Sequence, residues 1–182
     1  ISIKITGGKM SELGTRRVLV AAFMVFTFLI AQPSFAAEVN PYGGAKIAPP
    51  ADSEIIFTVT NGASTKKFSM DSLKKMKSTV IKVYEPFVKK QQSFRVIPMA
   101  TFGSLSKIPR SAKLKTVALN DYVYTNTLNN FVLAKGYIAF ERDGKPIPYD
   151  QGGPLRIIFP TDSKWAKFLD PWNWSLKSIV VK

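Results

Sequence analysis

Any chemistry in this chain has to be done by arginine, carboxylates, amides, hydroxyls and aromatic rings, because its 182 residues include no histidine and no cysteine. That removes thiolate nucleophiles, Ser-His-Asp triads, structural zinc sites and disulfides. It also leaves no side chain that titrates near neutrality, unless a lysine or a carboxylate is strongly shifted. The stretch with the most chemical potential is Tyr149-Asp150-Gln151-Gly152-Gly153-Pro154-Leu155-Arg156-Ile157-Ile158-Phe159-Pro160. Gly152, Gly153 and Pro154 describe a backbone that turns sharply and can lie close to another molecule. A single guanidinium follows at Arg156. Residues 157–159, stopped by Pro160, read as a short buried strand. The motif is a tight turn feeding a core strand, with one fixed cation at the junction. Such turns serve either the fold or a ligand. The acids are scattered, and none forms an acid/base pair in sequence, so catalysis has no support here.

The elements that must position this motif are short. Residues 55–59 read as a strand, Asn61-Gly62 as a turn, and residues 67–70 as the second strand of a hairpin. Ser69 or Asp71 caps a short helix through Leu73 and Met76. Residues 78–84 alternate as a strand and end at Glu85-Pro86-Phe87. Residues 94–98 are extended, and Met99–Leu105 is a short helix or turn. Residues 115–119 form a strand that Asn120-Asp121-Tyr122 closes and residues 123–125 continue. Residues 128–131 are a helical turn, 137–140 a strand, and Asp143-Gly144 a hairpin turn. Residues 164–169 read as a brief helical piece and 172–181 as a last strand. Many short strands, few short helices and no repeat predict one mainly β or α+β domain over residues 53–182.

The amino-terminal part has a different purpose. Residues 1–9 read as upstream read-through, because Met10 opens the pattern of a secretory signal peptide. Arg16-Arg17 precede the apolar run 18–30, in which only Thr27 is polar, and Gln32-Pro33 and Ser34-Phe35-Ala36 follow. Small residues three and one before the cut place cleavage after Ala36. The apolar run is short against the ~20 residues of a bilayer span. Residues 10–36 are thus expected to be removed, leaving a leader over 37–52 and, in a bacterium, a periplasmic protein. The formal charge is +14, and it stays strongly positive once four bases and one acid leave with residues 1–36. Such a charge favours acidic partners. The basic clusters, however, are only pairs, Lys66-Lys67, Lys74-Lys75 and Lys89-Lys90. No nucleic-acid motif accompanies them, so they read as solvated surface and nucleic-acid binding is not expected.

Leu119-Asn120-Asp121-Tyr122, the Ile138-Ala139-Phe140 strand, Asp143-Gly144-Lys145-Pro146-Ile147, the Gly152–Pro160 stretch and the terminal Leu176-Lys177-Ser178-Ile179 follow in that order. This order resembles the molybdopterin-binding domain of the sulfite-oxidase family, over about residues 53–182. The resemblance implies an α+β, sulfite-oxidase-type molybdopterin-binding fold of mainly short mixed β strands with few short helices. The family's ligand is a pterin carrying a phosphate and a dithiolene that holds molybdenum. In its enzymes a cysteine thiolate also ligates the metal, near where Tyr84-Glu85-Pro86 falls here. This chain has no cysteine, so a metal centre would lose its protein sulfur ligand. A short, exported, cysteine-free form also resembles the periplasmic pterin-binding regulators, which bind a metal-free pterin and control an inner-membrane cyclic-di-GMP enzyme. The resemblance therefore implies a pterin sensor rather than an enzyme, with a membrane-bound signalling protein as partner. The alternative is a molybdopterin-dependent oxidoreductase or accessory subunit. A third reading is a scaffold that kept the fold and lost the ligand.

A pterin pocket needs a plane for stacking and convergent polar groups for an edge like that of guanine. On the resemblance, Asn120 and Asp121 at a strand end supply that edge; otherwise they are an ordinary Asn-Asp turn. Arg156 donates to the pterin carbonyl and N5 region or to a phosphate, or else supports the core. Gly152 and Gly153 let backbone amides face the ligand. Tyr84 and Glu85 occupy the neighbourhood of the missing cysteine and line the same cavity. Among the available planes, Tyr122, Trp165, Trp172 and Trp174, the choice falls on Tyr122 and Trp174. No residue is assigned to a metal or to a catalytic step.

Overall fold

The computed structural model describes residues 47–182, which belong to one compact unit. The expected read-through, the signal peptide and the first part of the leader lie outside the described residues. The chain enters as strand β1 (Ile55–Asn61), turns at Gly62 and returns as β2 (Ser64–Ser69). Gly62 sits at φ +58°, a conformation that glycine adopts at little cost. Ser69 then caps helix α1 (Met70–Lys74) through a reciprocal pair: its hydroxyl accepts from the Ser72 amide, and the Ser72 hydroxyl accepts from the Ser69 amide. Strands β3 (Thr79–Glu85) and β4 (Lys90–Pro98) form a hairpin, and α2 (Met99–Leu105) follows Pro98 directly. Next come β5 (Lys113–Ala118), β6 (Val123–Thr127), α3 (Leu128–Leu133), β7 (Tyr137–Arg142) and the two-residue β8 (Lys145–Pro146). A single 3-10 turn, Tyr149–Gln151, leads to β9 (Arg156–Ile158) and then β10 (Leu176–Val181).

These strands make two sheets. One has the order β2-β1-β10-β5-β6, with β1 and β10 parallel and the other pairs antiparallel. The other runs β3-β4-β7-β8, and β9 also pairs with β7. The alternation in β1 and β10 buries Phe57, Val59 and Ile179 and leaves Thr58, Ser178 and Val180 half-exposed. Phe57, Phe68 and Phe102 pack at 5.4–5.6 Å between ring centroids, pinning β1, β2 and α2 together. A second chain of edge-on rings runs from Tyr124 through Phe131, Trp165 and Phe159 to Trp172. Buried Asn173 ties the two sheets: its carbonyl accepts from the Ile157 amide, and its side-chain amide donates to Thr116 Oγ1.

The mixed sheets and few short helices agree with an α+β class. Three local expectations fail. Residues 123–125 do not continue β5; Asn120 and Asp121 reverse the chain, with Asp121 at φ +63°, and β6 comes back antiparallel. The Asx turn, in which Asn120 Oδ1 accepts from the Tyr122 amide, stabilises that reversal. Residues 164–169 hold only isolated turns with i→i+3 bonds, because Trp165 is drawn into the aromatic chain instead of a helical face. The last strand begins at Leu176. Trp174 forms only a single bridge, to Arg156, and Ser175 at φ +50° breaks the extended run.

Phe102→Ala should lower stability by about 3–5 kcal/mol, because it empties the centre of the phenylalanine cluster. Val80→Ala, on the open side of β3 at 61% exposure, should change it by less than about 0.5 kcal/mol. Urea unfolding of the two variants measures the contrast.

Candidate functional site

Glu85 is the last residue of β3, and its side chain is fully buried. One carboxylate oxygen, Oε2, accepts from the backbone amides of Phe87 (3.0 Å) and Val88 (2.7 Å), so Glu85 closes the turn that follows Pro86. The other, Oε1, accepts from Arg156 Nη2 at 2.7 Å. Arg156 opens β9 and is likewise fully buried. Its guanidinium carbon lies 4.1 Å from the Trp174 ring centroid and 5.8 Å from that of Phe94. Trp174 in turn meets Phe87, with ring centroids 3.8 Å apart. The pair, the indole and the turn thus form a closed circuit: Arg156 holds Glu85, Glu85 holds the backbone of Phe87, and Phe87 rests on the ring that stacks over Arg156.

The two glycines make this circuit possible. Gly152 lies at φ +79°, and a Cβ there would sit 3.2 Å from the Trp174 indole. A Cβ on Gly153 would come within 1.9 Å of the Ile147 carbonyl oxygen. Both backbone amides are spent inside the turn, Gly152 on the Tyr149 carbonyl and Gly153 on the Pro148 carbonyl.

Beside Trp174 opens a cleft of about 270 Å³, lined by Phe87, Asn120, Tyr122, Leu169, Asp170 and Trp172 as well as Trp174 itself. Its walls are aromatic and its rim is polar. The Tyr122 hydroxyl donates to the Asp170 carbonyl at 3.1 Å, and the Trp172 ring N–H donates to the Trp165 carbonyl at 3.0 Å, which fixes both rings. Burial pushes the Tyr122 phenol above its ordinary range, and the Asp170 charge adds to the effect. The Asp170 carboxylate makes no ion pair or hydrogen bond among the described residues. A second cleft, of about 360 Å³, lies at the start of β1 and β10, between Glu54, Leu119, Tyr149, Pro154 and Lys177.

The residues singled out in the sequence divide into three groups. Asn120, Tyr122 and Trp174 come together on the aromatic cleft. Arg156 and Gly152 pack against the same tryptophan, Glu85 holds Arg156, and Gly153 belongs to the turn that carries Gly152. There Arg156 Nη2 is engaged by Glu85, and the glycine amides bond within their own turn. Tyr84 and Asp121 join neither group. Tyr84 is adjacent to the inward-facing Glu85 and so lies on the opposite, exposed side of β3. The Asp121 side chain is 83% exposed and pairs with Lys177 Nζ at 2.6 Å, away from the cleft. That hydrogen bond and the charge of Lys177 hold its carboxyl below the usual carboxylate range. Sequence reasoning missed Phe87, Leu169 and Asp170. Phe87 was visible as the aromatic beside Glu85-Pro86, and Asp170-Pro171 as an acidic turn before two tryptophans.

No protein-family model matches the chain, and no curated protein matches it. Among solved structures, the chain is similar to the sulfane dehydrogenase SoxCD from Paracoccus pantotrophus, with a TM-score of 0.56 and 10% sequence identity. The likeness covers 78% of this chain and 45% of that one, so the chain spans under half the length of the structure it matches. It supports a sulfite-oxidase-like fold.

Glu85→Leu strands a buried guanidinium and should cost about 3–5 kcal/mol in urea unfolding. Adding Arg156→Met to it should restore a large part of that loss, although the Phe87 and Val88 amides stay without their acceptor. The Asp121 contribution is present above the unfolded carboxylate range and disappears as pH falls through the lowered folded value. In carbon-13 titrations Asp121 should therefore titrate low, and Lys177→Met should return it to the ordinary range.

Proposed function

We propose that this protein is an exported, periplasmic pterin-binding receptor, not an enzyme, that reports ligand occupancy to a membrane-bound cyclic-di-GMP signalling partner. The observation that carries the binding part is the cleft walled by Phe87, Tyr122, Trp172 and Trp174, with Asn120 and Asp170 at its rim. A flat heteroaromatic ring buries both faces against such walls. Its amino and ring N–H edge finds an acceptor in the Asp170 carboxylate, and its carbonyl edge a donor in the Asn120 amide. Signalling requires two states that differ in affinity for the partner. The circuit from Trp174 through Phe87 to the β3–β4 hairpin supports that, because a ring entering against Trp174 must contend with Phe87 for its face.

The residues present do not suit a molybdenum centre. The chain has no thiolate to offer, and both oxygens of Glu85, near where the family's cysteine falls, are already engaged. Among the described residues no cluster of three acidic side chains is arranged for a metal. An oxidoreductase or accessory role is a second reading, favoured by the dehydrogenase among the similar folds. Stoichiometric molybdenum in protein purified from its native host would support that reading.

Titration with dihydropterin and tetrahydropterin, followed by tryptophan fluorescence, tests the first. Saturable quenching is expected. Trp174→Ala and Tyr122→Ala should each weaken binding about tenfold or more, the scale of one lost aromatic stack. Asp170→Asn should weaken it as well, whereas Asp121→Asn should leave it within about twofold, given the exposed position of that residue. Absence of saturable binding to either pterin would sink the reading.

A further inference from the structure

The five strands of the β2-β1-β10-β5-β6 sheet contain no acidic residue and five lysines: Lys66, Lys67, Lys113, Lys115 and Lys177. The pairing registers show where these charges lie. One row across the sheet aligns Thr65, Thr60, Val180, Lys115 and Thr125. The next aligns Lys67, Thr58, Ser178, Val117 and Val123. The Thr60 and Thr65 hydroxyls meet at 3.0 Å, as neighbours on one face do. The alternating residues Phe57, Val59, Leu114 and Ile179 are at most 1% exposed on the other face, whereas none of the residues in the two rows is buried. The core therefore covers one face of this sheet, and the other is open.

More positive charge edges that face. Asn61 at the end of β1 donates to the Ser106 and Lys107 carbonyls, which brings exposed Lys107 to the same end of the sheet. Exposed Arg110 precedes β5, whose first residue is Lys113. None of Lys67, Lys107, Arg110, Lys113 and Lys115 makes an ion pair among the described residues. Asp52, Glu141 and Asp162 pair with Lys74, Arg95 and Lys135, Asp121 takes Lys177 near the start of β10, and Glu54, which shares the second cleft with Thr58 and Ser178, borders one end of the face.

We propose that this open sheet face is a docking surface for an acidic protein segment. Within the strands the charge is of one sign, and only Lys177 is paired, so a partner with carboxylates is attracted and a basic one repelled. Rows of threonine and serine hydroxyls and small valines make a flat surface suited to a polypeptide. Nucleic acid fits less well, because the face offers no aromatic ring for base stacking; Tyr124 of β6 turns inward onto Phe131 and Trp165. On the two rows a lipid surface finds only valines, with no leucine or aromatic side chain to take in. At strand spacings of about 4.8 Å and rises of about 3.4 Å per residue, the face measures about 19 by 17 Å. That size fits a transient, salt-sensitive association rather than a permanent one. The inference does not depend on the pterin reading, since the face and the aromatic cleft share no residue.

The test uses the purified protein and a glutamate-rich peptide as probe, at low and at physiological salt. Amide shifts in NMR should concentrate on β1, β5 and β10. Lys67→Glu, Lys113→Glu and Lys115→Glu together should weaken binding about tenfold or more. Reversal of Lys82, Lys89 and Lys90, in the β3–β4 hairpin, changes net charge equally and should weaken it less than about twofold. The matching Lys→Gln triple repeats the comparison if the reversed face fails to fold, as circular dichroism would reveal. Equal losses in the two triples, or no binding of the peptide, would overturn the proposal. So would tighter binding of phosphatidylglycerol vesicles or of an oligothymidine through this face.

Discussion

A buried ion pair sets the arrangement of the site. Taking a guanidinium and a carboxylate out of water costs several kcal/mol per ion, and attraction alone repays that only if the remaining hydrogen-bonding capacity is also met. Here the carboxylate also accepts from two backbone amides, and an aromatic face lies 4.1 Å from the guanidinium carbon. The consequence is positional. Arg156 cannot move without freeing Glu85, Glu85 cannot move without opening the turn at Phe87, and Trp174 packs against Arg156 and Phe87. Specificity of place, rather than net stability, is what such a pair supplies.

The two sheets give this circuit its rigidity. Residue 85 ends a strand of one sheet, residue 156 begins another strand of the same sheet, and Trp174 stands just before the last strand of the other. Asn173 bonds to both sheets in the immediately preceding position. The aromatic chain from Tyr124 to Trp172 then packs the far wall of the cleft against α3. The walls of the cleft come from the loops that join the strands of the two sheets.

The same architecture sorts charge. Acidic residues are confined to loops, to α1 and to the strands around β7, while the open face of the other sheet keeps only lysines, hydroxyls and valines. The net charge of the chain is therefore not spread evenly. One surface is left unneutralised, on a different part of the fold from the aromatic cleft.

Much of this was legible in residue order. The strands β1, β3 and β7, the Asn61-Gly62 turn and the Ser69 cap are local patterns, and each is decided by residues a few positions apart. The absence of cysteine and histidine excluded whole reaction classes from composition alone. Of the nine residues that the sequence suggested for a pocket, Asn120, Tyr122 and Trp174 line one cleft. Other features depend on partners distant in the chain. That Arg156 meets Glu85, 71 residues away, follows from the β7–β9 pairing and the course of β3, which no local pattern encodes. Tyr84 and Glu85 are neighbours in sequence yet lie on opposite faces, because a strand alternates and only the fold says which face is covered. The pairing of Asp121 with Lys177 likewise needs β10 beside the β5–β6 turn. Residue types and spacing determined which elements form and which chemistries are impossible; long-range strand pairing alone decided which side chains meet, because burial and ion pairing are properties of neighbours in space.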